Sequence, residues 1–140
     1  MKKQRIAIEG VYSQGSGTGT FKLVPKTPGP LTADSGKFVG SGDIHPLVIR
    51  NGQSVEVISG SDVMTGKNGT LTVTQQLEMV VAGGPLAGGA RYRVITGTWS
   101  LSGGTGAYKG LTGQGAYAAV ALPRYGNNVR FSEEGIVQAG

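Results

Sequence analysis

The chain has no cysteine and a single histidine, His45, among its 140 residues. The first absence excludes a disulfide framework, thiolate catalysis and any cysteine-ligated metal. The second excludes a multi-histidine metal site, and any Ser–His or Cys–His couple away from that one position. Aromatic residues are scarce, with one Trp, five Tyr and three Phe. A nucleic-acid groove needs basic side chains interleaved with stacking rings. The one basic cluster, Lys2, Lys3 and Arg5, stands without them. No nucleic-acid partner is therefore expected, and the formal charge of +5 is accounted for by solubility. No apolar run approaches the ~20 residues of a membrane helix. The opening MKKQRIAIEG has the basic residues of a signal peptide without its apolar stretch. The expectation is a cytoplasmic protein with no membrane partner, no metal and no cofactor.

What the chain has in excess is glycine, 26 residues, more than twice the usual share of ~7%. The glycines follow no collagen period, valine outnumbers leucine and threonine is common. That composition favours strands over helices. Alternation places strands at residues 4–13, 18–24, 44–50, 53–65, 70–81, 91–101, 113–122 and 128–137. The weaker stretch 37–39 is a further short candidate. Along 53–65 the valines Val55, Val57 and Val63 share a face. The clearest pattern is 70–81, with Leu71, Val73, Leu77, Met79 and Val81 on one side and threonines on the other. Asn51-Gly52 is a strong hairpin signal, since both residues tolerate positive φ. Residues 25–33 hold Pro25, Pro28 and Pro30 and are read as a long loop at the mouth of a barrel. Residues 82–90 and 123–127 are read as further loops. Eight strands joined by short connections predict one all-β domain: an eight-stranded antiparallel up-and-down β-barrel, closed so that no edge is exposed. A β-sandwich is the rival architecture.

Residues 97–117, GTWSLSGGTGAYKGLTGQGAY, stand out. A phosphate-loop reading fails, because Lys109 precedes Gly110 and no helical stripe follows. Gly113-Gln114-Gly115 with Ala118 fits the loose dinucleotide pattern but lacks a βαβ setting. These glycines are read instead as tight bends in a coiled sheet. Asn68-Gly69-Thr70 is a glycosylation sequon in a tight turn.

The run Gly103 to Gly113, GGTGAYKGLTG, resembles the signature of the allene oxide cyclase-like barrel superfamily, which also includes dirigent proteins and bacterial spiro-ring-forming cyclases. The resemblance covers about thirty residues and is marked by fold more than by function. It implies an eight-stranded barrel holding a small apolar molecule, and a homo-oligomer, dimer or trimer. It further implies either cofactor-independent cyclase or isomerase chemistry or a non-catalytic, dirigent-like or scaffold role. The plant enzymes use a glutamate and an asparagine. Glu9 is the available counterpart of the glutamate, but no motif around it carries the role across.

Polar residues that interrupt apolar faces mark a candidate site, since each needs a partner or a task. Glu133 shares a face with Val129, Phe131 and Val137, and Arg93 with Ile95, Trp99 and Leu101. These two are the candidate catalytic pair, with a buried ion pair between them as the plainer alternative. Gln75 interrupts Leu71, Val73 and Leu77, and Tyr12 follows Ile6 and Ile8. Tyr117 shares its face with the small Ala119 and Ala121. Tyr12, Gln75, Trp99 and Tyr117 are accordingly the candidate ligand-binding residues of an apolar pocket. His45, beside Pro46, is read as structural. On 116–122 both faces are apolar, which predicts a neighbouring subunit outside that strand.

Overall fold

In β1 (Lys3–Ser13) the side chains alternate between the two faces, with Gln4, Ile6 and Ile8 buried and Lys3, Arg5 and Glu9 exposed. This computed structural model describes residues 3–13, 15–45, 48–50, 52–82, 92–121 and 128–139. The expected loops at 82–90 and 123–127 fall almost wholly outside those residues, as do Pro46 and Asn51. After β1 come β2 (Thr18–Pro25), β3 (Asp34–Ile44), β4 (Val48–Arg50), β5 (Gln53–Gly66) and β6 (Gly69–Ala82). β7 (Tyr92–Gly104), one 3₁₀ turn (Gly106–Tyr108), β8 (Leu111–Ala121) and β9 (Asn128–Ala139) complete the order.

Every pairing is antiparallel. β1, β2 and β3 are neighbours in chain order, as are β5 through β9. β9 returns to β1 with Lys3 opposite Gln138, and β3 joins β5 from Gly36↔Gly66 to Ile44↔Ile58. Eight long strands thus close into an up-and-down barrel, and β4 is a three-residue spur on β5. The inner face is apolar, with Ile8, Leu23, Met64, Val73 and Val129 all fully buried.

Two sequence expectations need correcting here. The third wall strand is β3, not 44–50. Its sequence DSGKFVGSGDI puts Gly36, Gly40 and Gly42 at the parity of Phe38, so Phe38 is the one buried apolar side chain that marks the inner face. Residues 44–50 contribute only the end of β3 and the spur, although the hairpin after it forms, with Arg50 opposite Gln53 and Gly52 at φ 76°. In β5 the inner face has the parity of Met64, which is fully buried, and not that of Val63, which is 47% exposed. Val55 on the valine face is buried, but outside the main core cluster. Ile58 and Asp62 share the parity of Met64 and face the interior.

The two ends of the barrel differ. At one end the loop 26–33 folds across the opening, so it closes the barrel floor and does not stand at the mouth. Gln4 holds it there, its Nε2 donating to the carbonyls of Thr27 (3.0 Å) and Leu31 (2.9 Å) while its Oε1 accepts from the Leu31 amide (2.8 Å). The glycine crossing meets the same end. Gly106 and Gly110 take φ of 60° and 75°, values that favour glycine, and the turn between them tucks Tyr108 inward. The Tyr108 hydroxyl donates to Asp34 Oδ2 at 2.6 Å, and Asp34 also accepts from the amides of Lys67 (2.8 Å) and Asn68 (3.2 Å). One carboxylate therefore ties the start of β3, the β5–β6 turn and the β7–β8 crossing together.

Candidate functional site

The opposite end, where β1, β3 and β6 finish and β5 and β7 begin, opens into a cavity of about 430 Å³. Phe38, Ile58, Leu77, Met79 and Ile95 form its apolar walls. Seven polar residues border it: Tyr12, Ser41, Glu56, Asp62, Gln75, Arg93 and Tyr117. Apolar walls with a few fixed polar groups are the usual composition of a small-molecule site.

The tyrosines are held by ring packing. Tyr117 stacks on Phe131 with centroids 5.8 Å apart and planes at 4°, and Phe131 meets Phe38 edge-on at 5.5 Å. Tyr12 leans on both phenylalanines, at 6.5 Å from Phe38 and 6.2 Å from Phe131. Such contacts contribute about 0.5–1.5 kcal/mol each beyond area burial, and here they fix where the two hydroxyls lie. Those hydroxyls pair with each other. Burial raises the Tyr12 hydroxyl's pKa, Asp62 adds to the rise, and Arg93 opposes it. Burial raises that of Tyr117 further, reinforced by Tyr12, Glu133 and Asp62. Both are therefore neutral donors at physiological pH.

Beside them lies a carboxyl pair bridged by an amide. Gln75 Nε2 donates to Asp62 Oδ2 at 2.7 Å and to Glu133 Oε1 at 3.4 Å. Glu133 is fully buried, and its Oε2 has no hydrogen-bond partner. Burial, then the charge of Asp62, push its pKa up to about 8 against the pull of the Gln75 hydrogen bond. Glu133 is thus protonated at neutral pH. Asp62 is also raised by burial, with Gln75 opposing, but it borders the cavity. Its Oδ1 lies over Gly40, so close that a Cβ there would strike it. The glycine in β3 makes the space that the carboxylate occupies.

The sequence-derived candidates divide between the cavity and the layers around it. Tyr12, Gln75, Arg93 and Tyr117 border the cavity. Glu133 lies one layer behind Gln75. It stands opposite Tyr117, which is level with Gly97 on β7, four residues from Arg93. At about 3.3 Å per residue that is some 13 Å along the barrel, and Glu133 and Arg93 form no ion pair with each other. Trp99 is core, 2% exposed. It packs on Gly135 with its Nε1 donating to the Glu134 carbonyl at 3.3 Å, and it does not border the cavity. Glu9 is exposed on the outer face. His45 is exposed near the mouth, with Nε2 3.2 Å from Ser59 Oγ.

Asp62 and Glu56, both on β5, are the acidic cavity residues that were not among the sequence-derived candidates. The valines on either side of Asp62 drew the inner face of β5 to the wrong parity. The available signal was Ile58, Gly60 and Met64 at its own parity, opposite Leu77, Gln75 and Leu71 of the clearest strand. A wider depression of about 640 Å³ lies outside the barrel among Glu9, Lys22, Ala118 and Ser132, and none of the buried polar side chains among the described residues borders it. Among the described residues no cluster of His, Cys, Asp or Glu has the makings of a metal site, and no helix is long and apolar enough to cross a membrane. No protein family model, no curated protein and no solved structure matches the chain.

Proposed function

We propose that the chain is a small-molecule barrel that takes an apolar ligand into the mouth cavity. We further propose that it acts on the ligand without a cofactor, as an isomerase or cyclase of the allene oxide cyclase-like kind. The observation that carries this reading is the convergence of Asp62, Tyr12 and Tyr117 on a cavity walled by Phe38, Ile58, Leu77, Met79 and Ile95, with Gln75, Arg93 and Glu56 as its other large polar groups. Such a cavity holds a flexible substrate in one folded shape, which lowers the entropic part of a ring-closing or rearrangement barrier. A positioned carboxylate and neutral hydroxyls add acid–base assistance. The second reading, a dirigent-like barrel that binds without reacting, is favoured by one observation: Glu133 is sealed from the cavity. As part of the same proposal the protein is cytoplasmic and assembles as a dimer or trimer through the outer face of β8, where Ala116 and Ala118 are exposed. Light scattering on purified protein measures that assembly, and a monomer would sink it.

The cavity itself is tested with native mass spectrometry after equilibration with a panel of small apolar ketones, epoxides and polyenes. Ile58 is half-buried on the cavity wall. Ile58→Trp fills the space from one side and is expected to abolish ligand capture while leaving the circular dichroism of the barrel intact. Capture that is undiminished in Ile58→Trp would place binding elsewhere and end this proposal.

A further inference from the structure

Three features of the cavity bear on the substrate's chemical class. The first is a base. Asp62 borders the cavity, and its Oδ2 is engaged by Gln75 while Oδ1 accepts no hydrogen bond among the described residues. The second is a donor. Tyr12 borders the cavity and pairs with Tyr117, two hydroxyls with one proton to spare for whatever enters, and its ring is fixed against Phe38 and Phe131. The third is the sealed acid Glu133 behind Gln75, which sets a limit on charge: with Asp62 ionised, a second negative group nearby is disfavoured. Glu56 adds a further carboxyl to the same cavity and Arg93 is the cation in its lining, so an anionic headgroup beside Asp62 is opposed and a neutral acceptor facing Tyr12 is favoured.

We propose that the substrate is a neutral ketone or enone with an acidic hydrogen beside its carbonyl, and that Asp62 and Tyr12 together enolise it. The inference rests on the reading of the barrel as a small-molecule site. In the step, the Asp62 carboxylate takes a proton from the carbon next to the carbonyl. The C–H electron pair becomes a carbon–carbon double bond and the carbonyl π pair moves onto oxygen. The Tyr12 hydroxyl, backed by Tyr117, donates a hydrogen bond to that oxygen as its charge develops, the role of an oxyanion hole. Return of the proton from Asp62, to the same carbon or to the far end of a conjugated enolate, restores the carboxylate. The second course moves a double bond and amounts to isomerisation, so no oxidant, reductant or metal enters the balance. The base is held rigidly on one side by Gln75, while a neutral acid is buried one layer below. Two carboxyls in unlike surroundings, one bordering a cavity and one sealed behind it, is a recurrent arrangement in proton-transfer sites.

The test uses 2-tetralone, a bicyclic ketone with acidic α-hydrogens, and tetralin, its hydrocarbon counterpart. Binding of each is read by saturation-transfer NMR, and α-hydrogen exchange by loss of the ketone's signal in deuterated buffer. The expected result is that both bind and that the intact protein speeds exchange well above buffer. Asp62→Asn then loses at least 100-fold of that rate, and Tyr12→Phe about 10–100-fold, in line with general-base and oxyanion contributions. Gly40→Ala, whose Cβ displaces Asp62 Oδ1, slows exchange without abolishing tetralin binding. That separates a misplaced base from a collapsed barrel. Binding of 2-tetralone with exchange at the buffer rate, exchange that survives Asp62→Asn, or binding of tetralin alone each overturns the enolisation inference and leaves the binding barrel standing. Failure of both compounds to bind overturns the two readings together.

Discussion

With its side chain sealed in the barrel and Asp62 across the Gln75 amide, Glu133 keeps its proton up to a pH of about 8, against an ordinary value of 4.5. Between those two values the folded chain binds a proton that the unfolded chain has released. Stability is therefore greatest below pH 4.5, falls as pH rises toward about 8, and is level beyond that as far as this group is concerned. One proton of difference corresponds to a slope of up to about 1.4 kcal/mol per pH unit. Asp62, raised in the same direction, adds to the slope, and Tyr12 and Tyr117 stay neutral throughout the window. Glu133→Gln keeps the size of the side chain and removes the titration. Urea unfolding from pH 5 to pH 9 is expected to show a flatter profile for the variant, with the variant the more stable of the two at pH 8. A slope unchanged by the substitution would mean that Glu133 is ionised in the folded protein. At this scale the sequence was informative about place but not about partner. The parity of Glu133 with Val129 and Phe131 put it indoors. The Gln75 amide that bridges it to Asp62 lies 58 residues away and had no local signature.

Among the elements, the glycine crossing between β7 and β8 has the clearest structural duty. Its bends release one long side chain, Tyr108, to reach an aspartate 74 residues distant. Burial pushes the pKa of Asp34 up, but the hydrogen bonds from Tyr108, Lys67, Asn68 and Ser35 outweigh it and hold the group below its ordinary range. The stability this contributes is present above the ordinary aspartate pKa and is lost as pH falls through the lowered one. Tyr108→Phe deletes the hydroxyl and leaves a buried carboxylate short of one donor. A hydrogen bond to a charged group contributes about 1.5–3 kcal/mol, so the melting temperature is expected to drop by roughly 5–10 °C at neutral pH. The deficit should shrink as pH falls through the lowered pKa of Asp34. Thermal melts in steps from pH 7 to the most acid pH at which the protein stays folded read both effects, and a deficit constant throughout would deny Asp34 its part. The floor loop 26–33 has the same logic, with Gln4 as the anchor. Its prolines announced a loop, but nothing local said that it turns inward, because Leu31 is a lone apolar residue in that stretch and Gln4 sits on another element.

For the whole molecule the decisive contacts are the two that close the ring. β9 pairs with β1 along residues 128–138, and β3 with β5 from Gly36 to Ile44. Neither is a tight hairpin, and the first joins the two ends of the described chain. Without β9, both β1 and β8 present open backbone edges, which recruit other chains. A chain lacking residues 128–139 is therefore expected to form large aggregates on size-exclusion chromatography and to lose the strand signal in circular dichroism. A soluble monomer with an unaltered spectrum would show that closure is dispensable.

The sequence alone determined the class of fold, because alternation with period two and a dense supply of turn residues leave few options other than strands closed on themselves. It also determined which residues of β1, β6, β7 and β9 face inward, since their large apolar side chains share one parity, and on β8, apolar on both faces, it grouped Tyr117 with Ala119 and Ala121. Four of the side chains that border the cavity, Tyr12, Gln75, Arg93 and Tyr117, were found this way. Only the tertiary structure decided where β3 runs, because glycines carry no face, and which way β5 turns, because its valine face mimics a core. Those two strands supply Gly40 and Asp62, and so the charge at the heart of the candidate site. The physical reason is the same for both: the pairing of β3 with β5 fixes their register through backbone hydrogen bonds, and backbone bonds are blind to side-chain identity.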